Sequence, residues 1–277
     1  MSDSPVSVGA ALGYAWSLWR THWREIWGAL ALNALACTVL SAGIFSNNPM
    51  LVLGGLIALL FTRFTVYGSV FRLAFAPDHA GDDQFNVANL GIQWRGMESK
   101  LFLAGALMFV FFAILLMLMA FVLACALGAA LYAHGVTPMD AMKLKDPFQA
   151  AGPLGPKIHD VGYSVMQLVL TLVGIRLSLA FPATAESGKV QMLRTWRLTK
   201  GHFWQLFFAT LVLELPSALI MMVGAGAALA SNGQPAPLAP GETFLYSLIC
   251  GGWAGAAAMP LAAGVQAYFY RNLKTDI

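Results

Sequence analysis

The sequence predicts an all-α integral membrane protein with six transmembrane helices, and with amphipathic helices lying in the plane of the membrane before spans 1, 3 and 5. Of the 277 residues, 58% are hydrophobic and 10% are charged, whereas soluble domains carry about 25% charged residues. Several apolar runs reach the roughly 20 residues that a membrane-spanning helix needs. Residues 101–127 are apolar on every face, which excludes the alternating pattern of a β-barrel strand.

Apolar runs place the elements of one membrane domain over residues 1–277. The chain begins with an in-plane helix over 8–25 and has no cleavable signal peptide pattern. The spans are predicted at 26–45, 50–75, 101–132, 161–182, 204–230 and 242–270. Residues 133–160 form a Gly- and Pro-rich external loop.

Basic residues indicate the orientation of these spans. The segments on one side of the predicted bundle hold 11 Lys and Arg residues, and those on the other side hold 3. The positive-inside rule therefore places the N- and C-termini in the cytoplasm. Because topology accounts for the net charge of +3, no nucleic-acid partner is predicted.

Tryptophan and basic residues recur where the chain enters the first and fifth spans. Trp16 and Trp23 form a stripe along one face of a helix, with Arg20 and Arg24 beside it. Trp favours the headgroup level while Arg and Lys reach lipid phosphates, so these stretches are predicted to lie in the membrane interface. The lipid-interface candidates are Trp16, Arg20, Trp23, Arg24, Arg194, Trp196, Arg197 and Lys200.

An internal repeat is one interpretation of this recurrence. An offset of 180 residues pairs Trp16 with Trp196 and His22 with His202, and a weaker relative at 93–95 precedes the third span. On this interpretation the chain consists of three repeated units, each made of an in-plane helix followed by a helical hairpin. The alternative is that each helix entering from the cytoplasm selects Trp and Arg independently.

Two motifs carry a family resemblance. Residues 176–182 read RLSLAFP and residues 194–201 read RTWRLTKG. They resemble the membrane-domain family first named from glycerophosphoryl diester phosphodiesterases, together with its stand-alone six-helix relatives. This resemblance implies a six-helix bundle in the bacterial inner membrane. Since the chain has no soluble phosphodiesterase domain with metal-binding carboxylates, the resemblance does not extend to that activity.

Charged residues inside the predicted spans are candidates for a polar site. They are Glu214, Arg176 and Arg63, and each costs at least about 2.5 to 3.5 kcal/mol to insert at bilayer depth. At 1.5 Å per residue they lie roughly 15, 9 and 15 Å from the cytoplasmic ends of their spans, depths that are compatible with pairing. Asn33 extends the predicted network. Two interpretations stay open: a structural pair, or a site for an anionic headgroup, a proton or a small solute.

Small residues four apart mark helix-packing positions. Gly251 and Gly255 in the sixth span, and Gly224 in the fifth, allow close approach of helix backbones. Packing within the bundle and a homodimer through the sixth span are both open.

The function predicted from these observations is non-enzymatic. The sequence contains no catalytic motif and no metal-ligand cluster, so neither a cofactor nor a metal is expected. We expect an accessory or lipid-associated role in the bacterial envelope. The expected partners are the lipid bilayer and its anionic lipids, and a membrane-protein partner or a homodimer stays open. The alternatives are a small transporter or lipid translocator that uses the intramembrane Glu/Arg site, and a membrane-embedded enzyme acting on lipid headgroups.

Overall fold

All regular structure in the described part of the chain is helical. The computed structural model describes residues 6–136, 146–192, 194–230 and 240–274. Within these ranges no strand occurs, and 6 helical segments are long and apolar enough to cross a membrane. The prediction of an all-α, multi-pass membrane protein is therefore confirmed.

The described residues form ten α-helices. They are α1 (Val8–Phe45), α2 (Pro49–Phe75), α3 (Gly96–Ala133), α4 (Pro147–Ala150), α5 (Leu154–Leu177), α6 (Ala180–Ser187), α7 (Arg194–Leu198), α8 (Phe203–Ala230), α9 (Pro240–Gly252) and α10 (Met259–Leu273). A π-helical segment, Trp253–Ala258, joins α9 to α10. Short 3-10 turns occupy Ala76–Asp78, Asp83–Phe85 and Asn89–Gly91 between α2 and α3.

The first span and its predicted in-plane helix form one continuous helix. No helix end occurs between residues 25 and 26, because α1 runs unbroken over 38 residues. At 1.5 Å per residue it is about 57 Å long, well beyond the roughly 30 Å of a hydrocarbon core. The extra length at its N-terminal end carries the Trp and Arg residues, and the in-plane orientation of that end stays a prediction.

The other predicted boundaries differ more from the structure. No separate amphipathic helix precedes α3 in the described residues, since the connection from α2 consists of 3-10 turns and irregular chain. Before α8 there is only the five-residue α7. The external loop predicted over 133–160 contains α4 and the first turns of α5, while its residues 137–145 lie outside the described ranges.

The predicted single domain divides into two compact units. The first contains residues 1–104 and 177–277, and the second contains residues 105–176. In the first unit α1 packs against α2, and α9, the π-helical segment and α10 pack against α1. The second unit is a helical hairpin made of the remainder of α3 with α4 and α5.

Glycines allow close packing on α1. A Cβ atom at Gly251 would overlap Thr38, and one at Gly255 would overlap the backbone of Ala34. Both glycines therefore contact α1 of the same chain, which is the packing expected within the bundle and leaves no space for a second copy there. The surroundings of Gly224, in α8, lie outside the described residues.

Candidate functional site

Asn33 lies at the junction of three elements in the first unit. Its side chain is fully buried. Its Nδ2 donates hydrogen bonds to the carbonyl of Gly255 at 3.0 Å and to Met259 Sδ at 3.1 Å. Its Oδ1 accepts a hydrogen bond from Thr62 Oγ1 at 3.0 Å. Buried polar groups within a bilayer need protein partners, so Asn33 joins α1, α2 and the π-helical segment.

The π-helical segment receives a second side-chain hydrogen bond. Trp19 Nε1 donates to the carbonyl of Ala256 at 3.1 Å. A π-helical turn shifts the usual backbone hydrogen bonds, and side chains of α1 here bond to two of its consecutive carbonyls. The irregular backbone is therefore satisfied by Trp19 and Asn33 from the same neighbouring helix.

Arg63 and Glu214 are the charged candidates that the structure brings near each other. Arg63 lies in the middle of α2 and is exposed. Its guanidinium donates to Tyr67 Oη at 3.5 Å and lies 5.7 Å from the centroid of the Tyr67 ring. Glu214, on α8, is exposed and close enough for its charge to interact with that of Arg63. The third candidate, Arg176, belongs to the second unit and is half-buried there.

A second pair of opposite charges is completely buried and was missed in the sequence. Arg72 at the end of α2 and Glu98 at the start of α3 have side chains that are 1% and 0% exposed. Arg72 NH1 pairs with Glu98 Oε1, and NH2 donates to Oε2 at 2.9 Å. Arg72 Nε donates to the carbonyl of Gln84 at 2.9 Å. This bidentate pair joins α2, α3 and the connection between them.

Glu98 also caps its own helix. Its Oε2 accepts a hydrogen bond from the backbone N–H of Arg95 at 2.8 Å, the reciprocal contact of a capping box. A Cβ atom at Gly68 would overlap the carboxylate, so only glycine leaves room for it. The sequence contains a signal that could have identified this residue. Glu98 follows Arg95 by three residues and is the only acidic residue between Asp83 and Asp140.

Further ion pairs connect the C-terminal end of α10 to the segment that follows α2 and to α6. Arg271 donates to Asp78 Oδ1 at 2.7 Å and to the carbonyl of Ala74 at 3.1 Å. Lys274 pairs with Glu186, whose Oε1 also lies 3.5 Å from His79 Nε2. The C-terminal helix is thereby joined to α2 and α6.

After these pairings, positive charge remains in the first unit. Glu98, Asp78 and Glu186 are each engaged by a basic residue. Apart from Arg63 in the middle of α2, eight exposed basic residues of the first unit have no carboxylate partner among the described residues, and together they are called the basic surface. It consists of Arg20, Arg24, Arg95, Lys100, Lys189, Arg194, Arg197 and Lys200.

The predicted lipid-interface residues are on the outside of the molecule. Trp16, Trp23 and Trp196 are 51%, 44% and 40% exposed. The guanidinium of Arg24 lies 5.7 Å from the centroid of the Trp23 ring. The basic residues Arg20, Arg24, Arg194, Arg197 and Lys200 are also exposed.

A small cavity opens beside the start of α3. Its volume is about 110 Å³, and its walls include Arg95, Lys100 and the buried Arg72, with Thr184 and Gly188 opposite. Because Glu98 is neutralised by Arg72, the remaining charge at the cavity is that of Arg95 and Lys100. The net charge of the side chains around the cavity is therefore positive.

Comparison with protein-family models, curated proteins and solved structures finds no match to this chain. Among the described residues, no group of three or more His, Cys, Asp and Glu side chains could hold a metal ion.

Proposed function

We propose that the protein is a non-enzymatic component of the bacterial inner membrane, with an accessory or lipid-associated role, and that it binds anionic lipid phosphates at its cytoplasmic end. The basic surface carries this proposal. Each Lys or Arg near an anionic leaflet contributes about 1 kcal/mol to attraction, and the exposed tryptophans favour the same headgroup level. The family resemblance, the cytoplasmic termini and a protein companion stay predictions.

The cavity beside α3 distinguishes a specific lipid site from general attraction. Arg95 and Lys100 lie on its walls, whereas Arg20 and Arg24 lie on the exposed face of α1. Removing either pair subtracts two positive charges. A specific headgroup site depends on the first pair only.

The test is mass spectrometry of lipids retained by the full chain after extraction into detergent from bilayers of phosphatidylglycerol and phosphatidylcholine. The Arg95→Gln/Lys100→Gln variant is expected to lose retained phosphatidylglycerol by about thirtyfold, because two basic residues at roughly 1 kcal/mol each contribute about 2 kcal/mol. The Arg20→Gln/Arg24→Gln variant is the matched control. Equal losses in the two variants would reject the site, and no preference for phosphatidylglycerol in the wild type would reject the proposed function.

A small transporter or lipid translocator is the second candidate. It is supported by the proximity of Glu214 to Arg63 within two membrane-spanning helices, since such residues often mark solute or proton pathways. Glu214→Gln should then abolish lipid or solute movement in vesicles while the protein still inserts. A variant that only loses thermal stability would identify a structural pair. The third prediction, an enzyme acting on headgroups, has no supporting contact among the described residues.

A further inference from the structure

The second unit contains a groove between α3 and α5. Its volume is about 580 Å³, and every lining side chain except that of Lys157 is apolar or absent. Leu118, Val122 and Ala126 form part of its wall on α3, and Val161 and Met166 form part of its wall on α5. Lys157 stands near one end, in the first turn of α5.

The length of the groove matches one membrane leaflet. It extends along α5 from Leu154 to Met166, which is about 18 Å at 1.5 Å per residue. Half of a hydrocarbon core of roughly 30 Å is about 15 Å. A single lipid chain that enters at the membrane surface would therefore lie along the whole groove.

The end of the groove near Lys157 carries the residues expected at a membrane surface. The Lys157 side chain is exposed and has no carboxylate partner among the described residues. Asp160, one turn further on, contacts His159 Nδ1 at 3.0 Å instead. The His159 ring lies 5.0 Å from the Phe148 ring and 6.4 Å from the Tyr163 ring. Tyr side chains such as that of Tyr163 are enriched at the headgroup level.

We propose that the groove binds one acyl chain of an anionic phospholipid, with the lipid phosphate paired to Lys157. The apolar walls match the chain, the length matches one leaflet, and Lys157, the one charged side chain among the described residues that line the groove, matches the phosphate. A second copy of the protein seated in the groove would have to supply a counter-charge to Lys157, because burying a charge unpaired is costly. Every residue that lines the groove belongs to the second unit, so this proposal is independent of the proposed function.

The experiment uses the full chain in bilayer discs of phosphatidylcholine with a minor fraction of photoreactive phosphatidylglycerol, labelled on the acyl chain. Peptide mapping should place the cross-links on residues 118–126 and 158–166. Ala126→Trp fills the groove and should lower this labelling several-fold. Ala124→Trp is the matched control, because Ala124 is exposed two residues away on α3, a rotation of about 200° about the helix axis. Unfolding temperatures of both variants verify that they are folded.

Lys157→Gln tests the phosphate contact. It should lower cross-linking by the phosphatidylglycerol probe and leave that of a phosphatidylcholine probe with the same photoreactive chain unchanged. Three results would overturn the proposal: equal labelling in the two Trp variants, labelling spread evenly along the apolar surface of α3, or no labelling of the groove, as expected if a second copy of the chain fills it.

Discussion

The two arginines of α2, Arg63 and Arg72, have opposite surroundings although they share a helix. The guanidinium of Arg72 is buried and has a bidentate partner in Glu98. Arg63 is exposed, and its side-chain partner is the Tyr67 hydroxyl at 3.5 Å, with Glu214 further away. A buried charge must be fully paired, so Arg72 acts in folding, whereas Arg63 retains donors that a ligand could use.

The largest expected effect is at the buried pair. Arg72→Met leaves the Glu98 carboxylate buried and unpaired, and should lower the free energy of unfolding by about 3 to 5 kcal/mol. Unfolding in detergent micelles measures this loss. The Arg72→Met/Glu98→Leu double variant should recover most of it, because neither charge remains. A double variant as unstable as the single one would show that the charges themselves are not the cause.

A smaller loss is expected at the glycine that makes room for Glu98. Gly68→Ala would push a methyl group into the carboxylate, and overpacking of this kind costs about 1 to 3 kcal/mol. Gly54→Ala on the same helix is the control, since nothing lies within 4 Å of a Cβ atom there. Thermal unfolding of both variants would contradict the role of Gly68 if the two substitutions had equal effects.

The hydrogen bond from Thr62 to Asn33 is expected to contribute less. Thr62→Val removes this link between α1 and α2 and should lower the free energy of unfolding by about 0.6 kcal/mol, the average for such bonds in membrane proteins. Thr65 bonds to the Phe61 carbonyl of its own helix at 3.0 Å, so Thr65→Val is the control. Denaturant titration should show a larger loss of unfolding free energy for Thr62→Val than for Thr65→Val. Equal losses would mean that the hydrogen bond between the helices contributes nothing.

The smallest effect on stability is expected at Arg63 itself. Arg63→Gln removes an exposed guanidinium with no carboxylate of the described residues within ion-pair distance, so the free energy of unfolding should change by less than about 0.5 kcal/mol. The control is Arg72→Gln, which should be severely destabilised in the same unfolding assay. A loss at Arg63 as large as that at Arg72 would remove the distinction and make Arg63 a structural residue.

The length and apolarity of the runs were sufficient to predict where several of the long helices lie in the chain. The spans predicted at 50–75 and 204–230 correspond to α2, Pro49–Phe75, and α8, Phe203–Ala230. The fourth span was predicted from residue 161, and the helix that contains its start, α5, begins at Leu154 with polar residues that an apolar run does not include. Those residues include Lys157, at the end of the groove.

The sequence by itself determined the all-α membrane class, because a continuous apolar run must satisfy its own backbone hydrogen bonds within the bilayer. It also identified Asn33, Arg63 and Glu214 as polar groups within apolar spans. Only the tertiary structure decided how these groups are paired. Arg72 and Glu98 are 26 residues apart in the chain, and they meet because α2 and α3 bring their ends together. Side-chain pairing between helices depends on packing, which local patterns do not encode.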